Sequence, residues 1–191
     1  KLQQLESADL LDLLNSPHPD LVRNALSVLP QIITSESQVP TDLMDAVQRL
    51  AQSPHVNVRM QLALTIGDLP AADASARAQY AAMLVSILRQ DPDDVWIQQG
   101  VLTSCKDLGA DVFERLVADG SSQPQELHIV RELLQLIPDH DSQFQEAIAE
   151  KLSQIEPASI EATAWTLLCL ENDFQNHAAI QERLAAVYQY A

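Results

Sequence analysis

Apolar residues return every three or four positions through most of the chain, and five times a proline breaks the rhythm before it restarts. After Pro17 the stripe is Val22, Leu26, Leu29 and Ile33; after Pro54 it is Val58, Leu62, Ile66 and Leu69; after Pro92 it is Ile97, Val101, Cys105 and Leu108. Such spacing places one side of a helix against a core. The stretches before the turns keep the same rhythm, with Leu43, Val47 and Leu50; Tyr80, Leu84, Ile87 and Leu88; Val112, Leu116 and Val117; Phe144, Ile148 and Leu152. The pattern predicts helical hairpins pairing 2–15 with 19–33, 40–52 with 55–69, 73–89 with 93–107, 109–119 with 124–137 and 140–154 with 157–170. A last helix at 175–190 is left unpaired.

The turns are themselves repeated. Ser16-Pro17-His18-Pro19-Asp20-Leu21-Val22-Arg23, Ser53-Pro54-His55-Val56-Asn57-Val58-Arg59 and Asp91-Pro92-Asp93-Asp94-Val95-Trp96-Ile97-Gln98 are three clear copies, and weaker forms surround Pro124 and Pro157. The five prolines are 37, 38, 32 and 33 residues apart, the period of helical-repeat arrays. Proline lacks the N–H that a helix start leaves unpaired anyway, and it disfavours helix in the residue before it. Each turn therefore separates two helices. Asp20, Asn57 and Asp93 or Asp94 can satisfy the free N–H groups of the following first turn, and Thr41 and Asp73 are further candidate caps. No long linker interrupts the pattern, so residues 1–191 read as one domain.

Composition supports the same fold class. Hydrophobic residues make up 47% of the chain, aromatic ones 4%, and there are 4 glycines, a mixture that favours helix over sheet. Charge narrows the partners: 27 acidic against 11 basic residues leave a net −16, a field that repels phosphate backbones. Nucleic acid is excluded on that ground, and a basic protein or peptide fits better. The most apolar stretches, 80–88 and 162–170, fall short of the roughly 20 residues a membrane span needs. No signal peptide is visible, and a start at Lys1 suggests a processed product or a piece of a longer protein.

The Asp-x-Val-Arg-type element that opens a second helix after a proline turn resembles the HEAT family of repeats; Asp20-Leu21-Val22-Arg23 and Asn57-Val58-Arg59 match best. The likeness covers nearly the whole chain and fades toward its end. Gln98 replaces the arginine in the third copy, Val130-Arg131 is displaced in the fourth, and Glu161 holds the comparable region of the fifth. The resemblance implies an all-α right-handed α-α superhelix, five hairpins plus a terminal helix, with the second helices near Leu21, Val56, Val95, Gln125 and Ala158 lining the concave face. The third turn together with Gly109-Ala110-Asp111-Val112-Phe113-Glu114-Arg115-Leu116 also looks like HEAT segments of large exported bacterial proteins. There they lie between a dehydrogenase-like β-propeller and a c-type haem domain. That narrower likeness implies a spacer beside redox domains, periplasmic or exported; without it a cytoplasmic location is expected.

Candidate chemistry is sparse. Cys105 and Cys169 lie in apolar helical surroundings, read as buried free thiols, and neither belongs to the Cys-x-x-Cys-His that holds a c-type haem. His18, His55, His128, His140 and His177 are scattered without zinc-site spacing. Asp91-Pro92-Asp93-Asp94 lacks the glycine and closing glutamate of a calcium loop, and reads as a capped acidic turn. Asp139-His140-Asp141 could orient an imidazole for proton transfer but has no nucleophile beside it, and reads as a polar turn before a helix. No nucleophile elbow or phosphate loop occurs. The repeated Arg23 and Arg59 are expected to bond carboxylates or helix-end carbonyls of neighbouring hairpins in preference to forming an anion site. Trp96, at a helix start, either caps the hydrophobic seam between repeats or anchors a partner, and Trp165 is expected in the core.

The sequence thus points to a non-enzymatic interaction or spacer module without cofactor or metal. Its alternative is an accessory segment of a multidomain haem-containing redox protein, docked on other domains of the same chain.

Overall fold

Helices flank the proline turns as the periodicity requires. The computed structural model describes residues 7–33, 38–118, 124–136, 142–156, 160–171 and 178–188, and all regular structure among them is helical. Eleven helices are described: α1 (Ser7–Leu14), α2 (Pro19–Ile33), α3 (Thr41–Leu50), α4 (Val56–Ile66), α5 (Ala74–Gln90), α6 (Val95–Ser104), α7 (Gly109–Ala118), α8 (Pro124–Leu136), α9 (Ser142–Gln154), α10 (Ile160–Glu171) and α11 (Ala178–Tyr188). They group into two compact units, Lys1–Val112 and Phe113–Ala191, whose boundary falls inside α7.

In the first unit α2 packs on α4 and α4 on α6, so the second helices form a row, while α1 packs on both α2 and α3. The stripes after Pro17, Pro54 and Pro92 are buried throughout, from Val22 to Ile33, Val58 to Leu69 and Ile97 to Leu108. Among the first-helix positions Leu43, Val47, Tyr80, Leu84, Ile87 and Leu88 are also buried, whereas Leu50 is half-buried. Burying a Leu, Ile or Val side chain contributes about 1.5–3 kcal/mol, so these stripes are the main source of cohesion.

A helix in the middle of a row is covered on more than one flank, and its burial is therefore wider than one stripe. In α4 the buried set includes Arg59, Ala63 and Thr65 beside Val58, Leu62 and Ile66; in α6 it includes Gln98, Gly100 and Ser104. Of these, Thr65 and Ser104 meet the neighbouring helix's backbone. Pro30 lies inside α2 and has no N–H to offer the Leu26 carbonyl one turn back. The Thr65 hydroxyl of α4 lies 3.2 Å from that oxygen and 2.9 Å from the Gln61 carbonyl of its own helix, positioned to donate to either. One repeat later the Ser104 hydroxyl of α6 donates to the Ala63 carbonyl of α4 and accepts from the Gly67 N–H at 2.9 Å. A side-chain oxygen thus serves the Ala63 carbonyl, one of the last four of α4, and takes the Gly67 N–H as well.

That insertion brings α6 close to the end of α4. Gly67 has an ordinary helical φ of −65°, so its backbone makes no demand for glycine. A Cβ there, however, would stand 2.7 Å from Ser104 Cα. Close approach is what excludes a side chain. At Gly100 an added Cβ would meet Ala63 Cβ at 3.3 Å, a tight but softer contact.

The helix ends correct several expectations. Asp73 and Asp94 cap as expected: Asp73 accepts from Ala76 N–H at 2.8 Å, and Asp94 accepts from Trp96 and Ile97 N–H at 2.8 and 3.2 Å. Thr41 does not cap. It is the first residue of α3, Pro40 precedes it without a side-chain cap, and the Pro40 carbonyl takes the Met44 N–H at 2.9 Å. Asn57 likewise falls inside α4, after His55. The His55 N–H is met instead by Ser53 Oγ at 3.3 Å, just as the His18 N–H is met by Ser16 Oγ at 3.2 Å. A serine ahead of the proline closes both turns.

In the second unit α11 packs on α9 and α10 through the buried Ile180 and Leu184, so the final helix is not left bare. Trp165 is fully buried and meets Phe113 edge to face, with centroids 6.2 Å apart. Ile148 and Leu152 are buried as expected, and Phe144 is outside the residues whose side chains are described.

Gly67→Ala should destabilise the fold by about 1–3 kcal/mol through overpacking against Ser104, and Gly100→Ala by less. Urea unfolding of the two variants checks the order; equal midpoints would show that α6 does not approach α4 this closely.

Candidate functional site

The turn residues singled out by repetition fall into two groups, one directed inward and one outward. Pro17, Pro54 and Pro92 lie in the turns before α2, α4 and α6; Pro124 opens α8; Pro157 lies outside the described residues.

Arg59 is the inward residue. Its side chain is 8% exposed in the first turn of α4. One guanidinium nitrogen donates to the Ser53 carbonyl of its own turn, while Nε, at 3.0 Å, and Nη2 both donate to Asp91 Oδ2 in the turn before α6. The arginine therefore joins two successive turns. Gln98, which holds the equivalent place in α6, makes the local half of this arrangement: its Nε2 donates to the Pro92 carbonyl at 2.7 Å. Both bonds reach back six residues, which is why glutamine can replace arginine there.

Arg23 departs from the expectation. Its ion-pair partner among the described residues is Asp20 of its own helix, 3.6 Å away, with the two side chains 42% and 84% exposed. The reason can be read from the turns. The residue before Pro92 is Asp91, whereas the residue before Pro54 is Ser53, so the turn following Arg23 offers no carboxylate at that place.

Trp96 is the outward residue. It is 73% exposed at the start of α6 and does not fill a seam between hairpins. Leu21, Val56 and Val95 are exposed with it at the starts of α2, α4 and α6. Sequence reasoning named these three only as marking where the second helices begin, although a signal was present: in every clear copy an apolar residue stands one or two places ahead of the first buried Val or Ile.

The acidic turn before α6 is occupied by structural bonds, with Asp91 held by Arg59 and Asp94 by two backbone N–H groups. Among the described residues no three His, Cys, Asp or Glu side chains converge to hold a metal. Asp139-His140-Asp141 lies outside the described residues. Cys105 and Cys169 are buried free thiols, and burial pushes both up to about 12, far from a reactive thiolate. No described helix is long and apolar enough to cross a membrane.

Two adjoining clefts, of about 290 and 400 Å³, lie between α3 and α5, sharing Gln48, Ser75 and Gln79. Their far end is closed by Gln52 Nε2 donating to Ser86 Oγ at 2.5 Å and Gln90 Nε2 donating to the Ala51 carbonyl at 2.8 Å. Apolar side chains share these walls with neutral amides and hydroxyls and with the carboxylates of Asp45 and Asp73, and the described lining brings no histidine, cysteine or lysine to them.

Arg59→Ala should cost about 2–3 kcal/mol, less than the roughly 3–5 of a fully buried pair because Asp91 keeps 26% of its side chain in water. Arg23→Ala should stay within about 0.5 kcal/mol. Arg59→Gln should recover part of the loss by keeping the bond to Ser53. Denaturant midpoints for the three variants provide the check, and equal losses for both alanine variants would refute the distinction.

No family model matches this chain, and neither a curated protein nor a solved structure matches it significantly.

Proposed function

We propose that the chain is a non-enzymatic interaction or spacer module, a right-handed solenoid of HEAT-like hairpins that presents an acidic surface to a protein or peptide partner. The observation that carries this reading is the spacing of the bonds between hairpins. Arg49 Nη2 donates to Asn15 Oδ1 across 34 residues, Gln52 to Ser86 across 34, Arg77 to Asp111 across 34, Arg59 to Asp91 across 32, Thr65 to Leu26 across 39 and Ser104 to Ala63 across 41. Each of these bonds joins a hairpin to the next one. That is the nearest-neighbour contact from which a stacked array is built.

The non-enzymatic part of this reading draws on what several polar groups already do. Asp91, Asp111, Asp73 and Asp94 are bonded to arginines or helix starts, and the thiols are buried. The net −16 favours a basic partner and gives the interaction a salt dependence.

Small-angle scattering of the full chain tests the architecture. A compact globule of this length has a radius of gyration of about 16 Å. A clearly larger value with an elongated distance distribution is expected; a value at about 16 Å with a symmetric distribution would contradict the solenoid.

A further inference from the structure

The following inference rests on the interaction-module reading and names the surface and the partner chemistry. Among the described residues six large apolar side chains are exposed: Leu21, Val56, Val95, Trp96, Leu136 and Leu167. Four of them fall within the first three residues of α2, α4 and α6. Single exposed apolar residues need no explanation, but their gathering at the starts of three successive packed helices does.

These starts share one edge. The helices α2, α4 and α6 pack in sequence, and Arg59, in the first turn of α4, reaches the turn that leads into α6. Leu21 and Trp96 stand one residue ahead of the buried Val22 and Ile97, and Val56 and Val95 two residues ahead of Val58 and Ile97, so all four are turned about 100° or about 200° away from the stripe around the helix and face outward at its N-terminal end. The outward strip widens toward Val95 and Trp96, which are 62% and 73% exposed.

The charge around the strip decides what can cover it. Asp20 and Asp93 are exposed on this edge, and Asp91 and Asp94 stand in the same turn as Asp93. The nearby cations are taken, Arg23 by Asp20 and Arg59 by Asp91. A second copy would bring the same acidic edge and the same −16, and is repelled. We propose that the N-terminal edge of α2, α4 and α6 docks a segment of a partner protein that carries large apolar side chains flanked by lysine or arginine, with Trp96 as its main anchor. Apolar groups cover Val56, Val95 and the indole, and a cation can lie over the indole face or pair with Asp93.

The probe is a fluorescein-labelled synthetic peptide of leucine pairs flanked by lysines, with a glutamate-for-lysine version as control, titrated into the full chain. Fluorescence anisotropy should show binding of the lysine peptide alone, weakening as salt rises from about 0.05 to about 0.5 M. Trp96→Ala should weaken it at least about tenfold, and the double variant Leu21→Ser and Val56→Ser several-fold. In Trp165→Phe, Trp96 is the sole tryptophan, and its emission should begin as that of an indole in water and shift to the blue on binding. The anisotropy of the unmodified chain gives its answer even if that variant folds poorly.

Affinity unchanged by Trp96→Ala, or equal binding of the glutamate peptide, would overturn the proposal. So would a Trp96 emission that turns blue with protein concentration alone, since the occupant would then be a second copy. Those failures leave the scattering result untouched, so the docking edge and the module reading are tested separately.

Discussion

A hairpin of two helices cannot bury both flanks of its second helix, so each second helix completes its burial on the next hairpin, and that contact brings side chains against a neighbour's backbone. Everything polar along this seam must then be matched, because an unpaired buried group costs about 1–3 kcal/mol. The row α2, α4 and α6 meets the requirement with short side chains. Thr65 stands at the carbonyl that Pro30 cannot serve, and Ser104 is inserted between Ala63 and Gly67. Gly67 follows from the same constraint, since a hydroxyl can reach in only where the opposite helix presents no Cβ.

The first two ranks of this organisation were legible in the sequence. Stripes such as Val58, Leu62 and Ile66 record burial directly, and prolines record where helices must part, because both effects are local to a few residues. What lies between hairpins was less legible. Arg59 and Arg23 look alike in sequence, yet one is buried against Asp91 and the other is exposed beside Asp20. The difference lies one repeat away, in whether the next turn offers an aspartate or a serine. Capping shows the same limit. Asp94 and Asn57 both follow a proline closely, but Asp94 is the last residue before α6, whereas Asn57 is already the second residue of α4. A shift of two residues in the helix start decides which side chain can reach the free N–H groups.

The outward strip was visible in part. Trp96 stood out by type, while Leu21, Val56 and Val95 marked only where the second helices begin, because spacing alone does not show which of the residues at a helix start stay exposed. Their exposure gives the acidic surface an apolar element. Between proteins, charge sets long-range attraction that salt weakens, whereas specificity requires contacts that exclude water. An edge of aspartates interleaved with Val95 and Trp96 has both features. At the second and third turns the roles divide, Arg59 holding successive turns together while Val56, Val95 and Trp96 face outward.

The central claim, that one hairpin completes the hydrogen bonding of the last, is tested most directly by a double-mutant cycle on Pro30 and Thr65. In the native background Thr65→Val should destabilise by about 1–3 kcal/mol, because the Leu26 carbonyl loses its donor from α4. In the Pro30→Ala background alanine restores an N–H within α2, and the cost of Thr65→Val should fall clearly, giving a coupling above about 0.5 kcal/mol. Equal costs in the two backgrounds would contradict the account.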